Sequence, residues 1–176
     1  MTQNNNIVLK DFINLSSAEH EEVLAWRNHE LVRNQMFSSH IISMQEHLDF
    51  VEKLNNTNTK CYYRVEWKDK PIGVIDFYDI TTEEAYYGLY LNPDLIREGA
   101  WGILLEYIAL DFAFHNLNVT ILNCESLATN QSVLNIHYFF GQSVFKQTDT
   151  VVYMRITNDE WNIKRNKLAG FINKFL

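Results

Sequence analysis

The sequence predicts an α/β (α+β) fold in which one central sheet, mixed but mostly antiparallel, is flanked by helices on both sides. Two N-terminal segments carry helix-capping signals, three strand-like segments then follow one another, and strands alternate with helices over the rest of the chain. We expect the 176 residues to form a single domain, since the length suits one core and no linker, repeat or low-complexity tract interrupts it.

The composition disfavours several classes of function. Hydrophobic residues make up 47% and aromatic residues 14%, which is typical of a globular protein. The formal net charge of −7 disfavours a nucleic-acid partner, although backbone amides and a few local cations can still bind an anion. The chain shows neither a signal peptide nor a transmembrane stretch, so we expect no membrane partner. Cys61 and Cys124 lack CxxC spacing and are typical of reduced thiols, which predicts a cytoplasmic protein.

The N-terminal part predicts two capped helices. Ser16 and Glu19 have the spacing of a capping box, and the helix that they open is expected to end near Asn28. Ser43 and Glu46 form a second capping box before another amphipathic segment. The stretch between the two helices is expected to be irregular.

Strand signals dominate the middle of the chain. A hairpin signal at residues 68–71 joins two strands, and a break at residues 92–94 separates the third from an amphipathic helix. The predicted strands cover residues 7–12, 61–67, 72–78, 85–91, 119–125, 143–146 and 150–155. Further helices are predicted over residues 131–140 and 159–175. The last helix either covers the sheet or packs on a second copy of the chain, which leaves a homodimer open.

A glycine-bearing loop connects the third meander strand to the next helix. It has the sequence REGAWG over residues 97–102 and leads directly into an apolar helix. A helix N-terminus after such a loop presents free backbone N–H groups, which suits a pyrophosphate. The loop alone is weak evidence, because strand-to-helix connections of this kind are common.

The order of these elements resembles the GCN5-related N-acetyltransferase (GNAT) superfamily over nearly the whole chain. Four segments are similar to the pseudaminic-acid-pathway enzymes that acetylate the 4-amino group of a UDP-linked 4-amino-4,6-dideoxy sugar. These segments are WRNHELVRNQMFSSHIISMQEHLDFVEKL, GVIDFYDIT, YYGLYLNPDL and NQSVLNIHYFFGQSVF. Residues 26–29 and 88–93 carry the most specific part of the resemblance.

The resemblance implies acetyl-CoA as cosubstrate, without a metal, in a V-shaped opening between the third meander strand and the next strand. Backbone groups for the pantetheine arm and the acetyl carbonyl would come from Leu89, Tyr90 and Leu91. Amides for the pyrophosphate would come from Arg97, Glu98, Gly99, Ala100, Trp101 and Gly102, with Ile103 in the helix that follows and Asn130 beside the CoA arm. Either Ala100 or Gly99 stands where the family has its first loop glycine.

The same resemblance places the catalytic groups. The family has a tyrosine general acid seven residues after the asparagine, and this chain has His137 there with Tyr138 next to it. Neighbouring helix residues point about 100° apart, so only one of the two can face the thiol, and the choice stays open. Glu125 matches a family glutamate near the acceptor amine, where it either orients the amine or leads a water chain.

The acceptor site is expected in the N-terminal half and the meander. By the resemblance, Arg27 and His47 contact the nucleotide diphosphate, for which two cations are suited. An apolar wall for the methyl group of the sugar would consist of Met36, Phe37, Phe50, Tyr86 and Tyr90. Where some relatives have a threonine and a lysine, this chain has Tyr78 and Asp79 and so lacks one cation.

These features predict an acetyl-CoA-dependent N-acetyltransferase that acts by direct attack of a nucleotide-linked amino sugar on the thioester. Two alternatives share the same fold. One is an acetyltransferase of the ribosomal-protein type, which modifies a protein N-terminus, and the other is a non-catalytic CoA-binding regulator.

Overall fold

A computed structural model of the chain describes residues 6–98 and 100–172, apart from the side chains at 169 and 171. The strands are β1 (Ile7–Asp11), β2 (Cys61–Trp67), β3 (Lys70–Tyr78), β4 (Glu84–Leu91), β5 (Ile121–Leu127), β6 (Ser143–Gln147) and β7 (Val151–Thr157). The α-helices are α1 (Ser17–Asn28), α2 (Glu30–Arg33), α3 (Met44–Leu54), α4 (Trp101–Phe112), α5 (Gln131–Phe139) and α6 (Asn158–Ile172). None of the helices in these ranges is both long and apolar enough to cross a membrane.

The strands form one seven-stranded sheet in the order β1-β2-β3-β4-β5-β7-β6. All neighbouring strands run antiparallel except β4 and β5, which run parallel, so the predicted mixed and mostly antiparallel sheet is confirmed. Successive residues of a strand point to opposite faces. On β3, Val74 packs into a cluster with residues of α1 and α3, whereas Ile75 and Phe77 pack into the larger core with α4 and α6. Helices therefore cover both faces of the sheet.

Both predicted capping boxes are present. Glu19 N–H donates to Ser16 Oγ at 3.4 Å, and the Glu19 carboxylate accepts from the Ser16 N–H at 2.9 Å. Ser43 and Glu46 make the same pair of bonds at the start of α3. Two of the four N–H groups that a helix start leaves unpaired are thus satisfied locally, which explains why sequence spacing alone found both starts.

The segment between these helices is more regular than expected. It contains the short helix α2, which directly follows α1. His29 ends the first helix and caps the second, because its Nδ1 accepts from the Leu31 N–H at 3.2 Å. A single-turn helix leaves no periodic pattern, and a histidine cap is not among the preferred capping residues.

Strand β5 begins two residues later than predicted, at Ile121. The helix α4 continues through a π-helical turn, Ala113–Leu117, and Asn118 then adopts a left-handed conformation with φ +58°. Val119 is buried, which gives it the appearance of a strand residue, but it belongs to this turn. As a consequence, Glu125 lies inside the strand and not at its end.

Strands β4 and β5 are paired over only a short distance. Their register covers Glu84 with Ile121, Ala85 with Leu122 and Tyr86 with Asn123. Beyond that point β4 stays paired with β3, and β5 stays paired with β7. The two strands therefore separate and leave an opening in the middle of the sheet.

Gly73 allows α4 to lie close to the β3–β4 pair that forms one edge of this opening. A Cβ atom at Gly73 would overlap the Tyr90 carbonyl oxygen and lie 2.8 Å from Leu105 Cδ2. The pairing of β3 with β4 and the packing of α4 both depend on the absence of a Cβ atom at Gly73.

We expect Gly73→Ala to lower the free energy of unfolding by about 1–3 kcal/mol, the usual range for overpacking a core. Gly170→Ala is the matched control, because Gly170 is exposed on α6 with open space around its Cα. The control should raise stability by about 0.5–1 kcal/mol through helix propensity. Urea unfolding of both variants measures the difference, and equal effects would contradict the close approach at Gly73.

Candidate active site

A cavity of about 940 Å³ lies where β4 and β5 separate. It reaches both faces of the sheet: Arg27, His47 and Phe50 line it from α1 and α3, whereas Gly102 and His137 line it from α4 and α5. Because neighbouring strand residues alternate between faces, the two faces receive different side chains from the same strand segment.

The alternation is most consequential on β5. Glu125 and Ser126 are neighbours and both line the cavity. Ser126 faces His137 on the α5 side, so Glu125 points to the opposite side of the sheet, toward α1 and α3. On β4, Tyr90 packs with the α1 and α3 cluster, whereas Leu89 packs with the larger core.

His137 is the centre of a buried polar network on the α5 side. Its side chain is 4% exposed, its Nδ1 lies 2.8 Å from Glu106 Oε1, and its Nε2 lies 3.2 Å from Ser126 Oγ. Tyr87 OH donates to Glu106 Oε1 at 2.5 Å, and Gln142 Nε2 donates to the same oxygen at 2.6 Å. The imidazole thus has a protein partner at each ring nitrogen.

The charge of Glu106 determines the protonation state of His137. Burial disfavours the imidazolium ion, but the adjacent carboxylate outweighs that cost and raises the pKa of His137 well above its usual value. His137 is therefore an imidazolium at neutral pH. Burial and the same carboxylate raise the pKa of Tyr87, which keeps the phenol protonated.

The structure distinguishes His137 from Tyr138 by direction. Tyr138 is 53% exposed and is not among the residues that line the cavity in the described part of the chain. The angular step of about 100° per helix residue separates the two side chains, and α5 turns His137 inward.

Arg27 is a cation in the wall of the cavity, which Lys60 lines as well. Its Nη2 donates to the Ser38 carbonyl oxygen at 3.0 Å, whereas its Nη1 is buried and has no hydrogen-bond partner within the described residues. No carboxylate of the described residues lies within 4.0 Å of it. Burial lowers the pKa of Arg27, yet a guanidinium keeps its charge in proteins. The cavity wall thus holds a positive charge without a counter-ion.

His47 differs in charge from what the resemblance implies. It lines the cavity, but it is buried and its Nε2 lies 3.0 Å from His20 Nδ1. Burial, with a contribution from His20, lowers the pKa of His47 to about 4. His47 is therefore neutral at neutral pH and can offer a hydrogen bond but not a second cation.

The expected apolar wall is present in part. Met36, Phe37 and Phe50 line the cavity, and Phe50 packs edge-on against Tyr62 with the ring centroids 4.9 Å apart. Tyr90 lines it as well. Tyr86 is not among the residues of this wall, and its ring stacks on that of Tyr78 with centroids 5.5 Å apart.

The loop before α4 lies at the edge of the cavity. No described side chain caps the helix N-terminus at Ala100, and Gly102 reaches the cavity wall. A Cβ at Gly102 would lie 3.1 Å from Ile136 Cδ1, so the glycine lets α4 approach α5. Trp101 Nε1 donates to Glu98 Oε2 at 3.1 Å, outside the cavity wall.

The remaining residues of the expected CoA site are distributed as follows. Leu89, Leu91 and Asn130 line the cavity, and Asn130 also caps α5 by accepting from the Val133 N–H at 3.3 Å. Arg97 and Ile103 do not line it, and Gly99 lies outside the described residues.

The polar cavity and network residues that were not identified from the sequence include Asp76, Tyr87, Glu106, Ser126 and Gln142. Asp76 and Glu106 did carry a signal, since each is a lone acid in an apolar strand or helix segment. Acidic residues are rarely buried without a partner, so such an acid points to a pair or a site. The described part of the chain contains no group of three or more side chains that could hold a metal ion.

Comparisons with known proteins identify two groups of relatives. No family model matches the chain. Acetyltransferase PseH from Campylobacter jejuni subsp. jejuni serotype O:23/36 is 38% identical over 131 residues, which cover 74% of this chain and 81% of the relative. The protein of the same name from serotype O:2 is 36% identical over the same length.

Solved structures give a matching result. The crystal structure of Campylobacter jejuni N-acetyltransferase PseH in complex with acetyl coenzyme A has a TM-score of 0.73 and 29% identity, and covers 86% of this chain and 99% of that one. Spermidine N-acetyltransferase from Vibrio cholerae has a TM-score of 0.79 at 17% identity, with 90% and 99% of the two chains covered. The second likeness concerns the fold alone.

The His137–Glu106 pair should make stability depend on pH. In the unfolded chain the pKa of histidine is about 6.5. The folded state keeps the proton above that pH, so the contribution of the pair is complete below about pH 6.5 and is lost as the pH rises through the higher folded pKa. We expect the free energy of unfolding, measured in urea, to decline from pH 6.5 upward for this reason.

Glu106→Gln should remove that part of the slope, because the neighbouring charge that raises the pKa of His137 is gone. The variant should also be less stable at pH 6 by about 3–5 kcal/mol, as expected when one partner of a buried pair is removed. Glu52→Gln, at an exposed position of α3, is the control and should retain the wild-type slope. An unchanged slope in Glu106→Gln would contradict the assignment.

Proposed function

We propose that this chain, which belongs to the PseH family of acetyltransferases in the GNAT superfamily, acetylates the 4-amino group of a UDP-linked 4-amino-4,6-dideoxy sugar of the pseudaminic acid pathway. The enzyme is an N-acetyltransferase with acetyl-CoA as its acetyl donor. The observation that carries the choice of acceptor is the guanidinium of Arg27, which lies in the cavity wall without a carboxylate partner.

Arg27 suits a diphosphate better than it suits a peptide. A guanidinium binds phosphate oxygens through two parallel N–H bonds, and its Nη1 is buried without a described partner in this structure. A buried donor that lacks a partner is costly, and a phosphate oxygen would supply one. His47 would add a neutral hydrogen bond, so Arg27 carries the charge recognition.

The apolar part of the wall suits a 6-deoxy sugar. Met36, Phe37 and Phe50 provide a polarisable thioether and two aromatic rings beside Arg27. Phe37 is 57% exposed, although large apolar side chains usually avoid water when nothing covers them. A methyl group in place of the sugar's 6-hydroxyl would fit against this surface.

The donor side is supported by the backbone of β4. Leu89 and Leu91 line the cavity in the part of β4 that has separated from β5, and their main-chain groups on that side have no ladder partner. The pantetheine arm carries amides that can pair with such groups. The start of α4, near Gly102, suits the pyrophosphate through its free amides.

We assign proton delivery to the departing thiolate to His137 acting through Ser126. Both ring nitrogens of His137 contact protein groups, Glu106 at Nδ1 and Ser126 at Nε2, and Ser126 lines the cavity. The imidazolium gives its Nε2 proton to Ser126 Oγ while the Ser126 hydroxyl proton passes to the sulfur. Coenzyme A then leaves as a thiol and His137 becomes neutral, to be reprotonated from solvent.

We assign orientation of the acceptor amine to Glu125. It lies on the α1 and α3 side of the opening, and it accepts from Tyr78 OH at 3.1 Å. The amine therefore attacks from one side of the sheet and the thiolate leaves on the other. In this arrangement the attacking and departing groups do not compete for the same side chains.

The function is tested by thiol release. We expect the purified protein with acetyl-CoA and a UDP-4-amino-4,6-dideoxy sugar to release free thiol, and Arg27→Gln to raise the KM for the sugar about 10–100-fold, the loss of one charge-assisted contact. Binding of acetyl-CoA should be unchanged in that variant. No thiol release across several UDP- and dTDP-linked amino sugars, despite measurable CoA binding, would overturn the proposal. Release with N-terminal peptides only would favour the protein-acetyltransferase alternative.

The proton donor is tested by three substitutions. Ser126→Ala leaves the His137–Glu106 pair intact and should lower kcat about 100-fold, as expected for loss of general acid catalysis, with unchanged affinity for acetyl-CoA. His137→Phe should lower it at least as much, whereas Tyr138→Phe should be close to wild type. A normal rate in Ser126→Ala would exclude the relay, and equally small losses in all three would mean that none supplies the proton.

A further inference from the structure

Asp76 lies in the wall of the cavity on the acceptor side, and the steps above do not use it. We propose that Asp76 binds the acceptor as an ammonium ion and removes one proton from it, so that a neutral amine attacks the thioester. This inference rests on the proposed N-acetyl transfer and names the group that prepares its nucleophile.

The position of Asp76 follows from the strand register. Asp76 on β3 is the direct partner of Gly88 on β4. A Cβ atom at Gly88 would lie 2.9 Å from Asp76 Oδ2 and 3.3 Å from Oδ1, so the carboxylate lies directly over the glycine. Directly opposite residues of an antiparallel pair have their side chains on the same face, and here only one of the two residues has a side chain. The carboxylate therefore occupies the space that a side chain at position 88 would take, and both residues line the cavity.

Gly88 also brings the carboxylate close to the expected acetyl group. The next residue is Leu89, whose backbone is proposed to contact the acetyl-CoA arm, and one strand residue spans about 3.3 Å. Asp76 and Gly88 face α1 and α3, together with Tyr62 and Tyr90. An amine that enters from this face passes Asp76 before it reaches the thioester carbonyl.

The charge environment of Asp76 fits an ammonium ligand. No lysine, arginine or histidine of the described residues lies within the 4.0 Å distance of a salt bridge to it. Tyr62 on β2 is its direct strand partner and lies on the same face of the sheet. A carboxylate in a partly apolar wall without a cation is costly to ionise. A substrate ammonium ion would supply the missing positive charge and could donate a hydrogen bond to each oxygen of the carboxylate.

The protonation of Asp76 agrees with this geometry. Burial raises the pKa of Asp76 to about 7, and Lys60 counteracts this in part. The other titratable groups that surround it or face it across the cavity are Cys61, Tyr62, Tyr78, Tyr90, Glu125, Arg27 and His47. Burial keeps Cys61 and the three tyrosines protonated and His47 neutral, whereas the raised pKa of Asp76 lies near neutral pH.

The proton balance is simple. The acceptor R–NH₃⁺ gives one proton to the Asp76 carboxylate and becomes R–NH₂. The nitrogen attacks the thioester carbon, the C–S bond breaks, and the sulfur receives its proton through Ser126. The nitrogen loses its second proton to solvent as the amide forms, and Asp76 releases the first one to solvent. His137 takes one proton back from solvent, so the net products are the amide, the thiol and one proton.

The test is the pH dependence of Asp76→Asn. For the wild type, kcat/KM should rise with pH through about 7 and then level off, because the carboxylate is the active form. Asp76→Asn should lower kcat/KM about 100-fold and abolish this rise with pH, with unchanged affinity for acetyl-CoA. Glu125→Gln should slow the reaction but retain the rise of kcat/KM with pH. Asp69→Asn, in the exposed β2–β3 turn, should match the wild type in kcat/KM and in its pH dependence. Full activity of Asp76→Asn with the same rise of kcat/KM through about pH 7 as the wild type would overturn the inference.

Two further measurements separate this role from a structural one and from failure of the proposed function. Above pH 7 the wild type carries a buried charge that the asparagine variant lacks, so Asp76→Asn should have the higher Tm at pH 8. A merely structural aspartate predicts a lower Tm. The wild type should also bind the UDP-4-amino sugar at least tenfold more tightly than the same sugar with a hydroxyl at that carbon, and the variant should bind both equally. Equal binding by the wild type would overturn the role of Asp76. Absent turnover by the wild type, with the tenfold preference for the amino sugar retained, would overturn the proposed function and leave only the binding of the ammonium ion by Asp76.

Discussion

The site depends on the loss of hydrogen bonding between two neighbouring strands. β4 and β5 are paired from Glu84 to Tyr86 and then separate, while each stays attached to its outer neighbour. Backbone groups along the opening must find other partners, because a buried N–H or C=O without a hydrogen bond is costly. A ligand with amides of its own can satisfy them. The sheet thus holds β4 and β5 rigidly and, at the same place, leaves backbone groups that a ligand can pair with.

The opening also divides the chemistry between two faces. On β5 the adjacent residues Glu125 and Ser126 point to opposite sides, so a carboxylate faces α1 and α3 and a hydroxyl faces α5. The environments differ accordingly. Asp76 is a carboxyl whose pKa burial raises to about 7, while Glu106 holds His137 as an imidazolium. A group that accepts a proton and a group that donates one can therefore both be in their active forms at neutral pH.

Local sequence signals predicted those parts of the structure that short-range contacts determine. The capping boxes at Ser16 and Ser43 involve residues three apart, and both are present. The start of β5 was wrong because the left-handed Asn118 extends the preceding turn, which no apolar pattern reveals. The charge of His47 could not be predicted, since it depends on burial and on His20, which lies on another helix. Spacing could not show which of His137 and Tyr138 faces the cavity, because that depends on how α5 lies against the sheet.

The short pairing of β4 with β5 has a mechanical consequence. The strands β1 to β4 form one part of the sheet and β5 to β7 form another. Between the two parts, the ladder pairs Glu84 to Tyr86 with Ile121 to Asn123. Local opening of a structure begins where few hydrogen bonds hold it. A ligand that contacts both β4 and β5 would hold the two parts of the sheet together. Amide hydrogen exchange should then slow on both sides of the opening when acetyl-CoA binds, including in strands that never touch it.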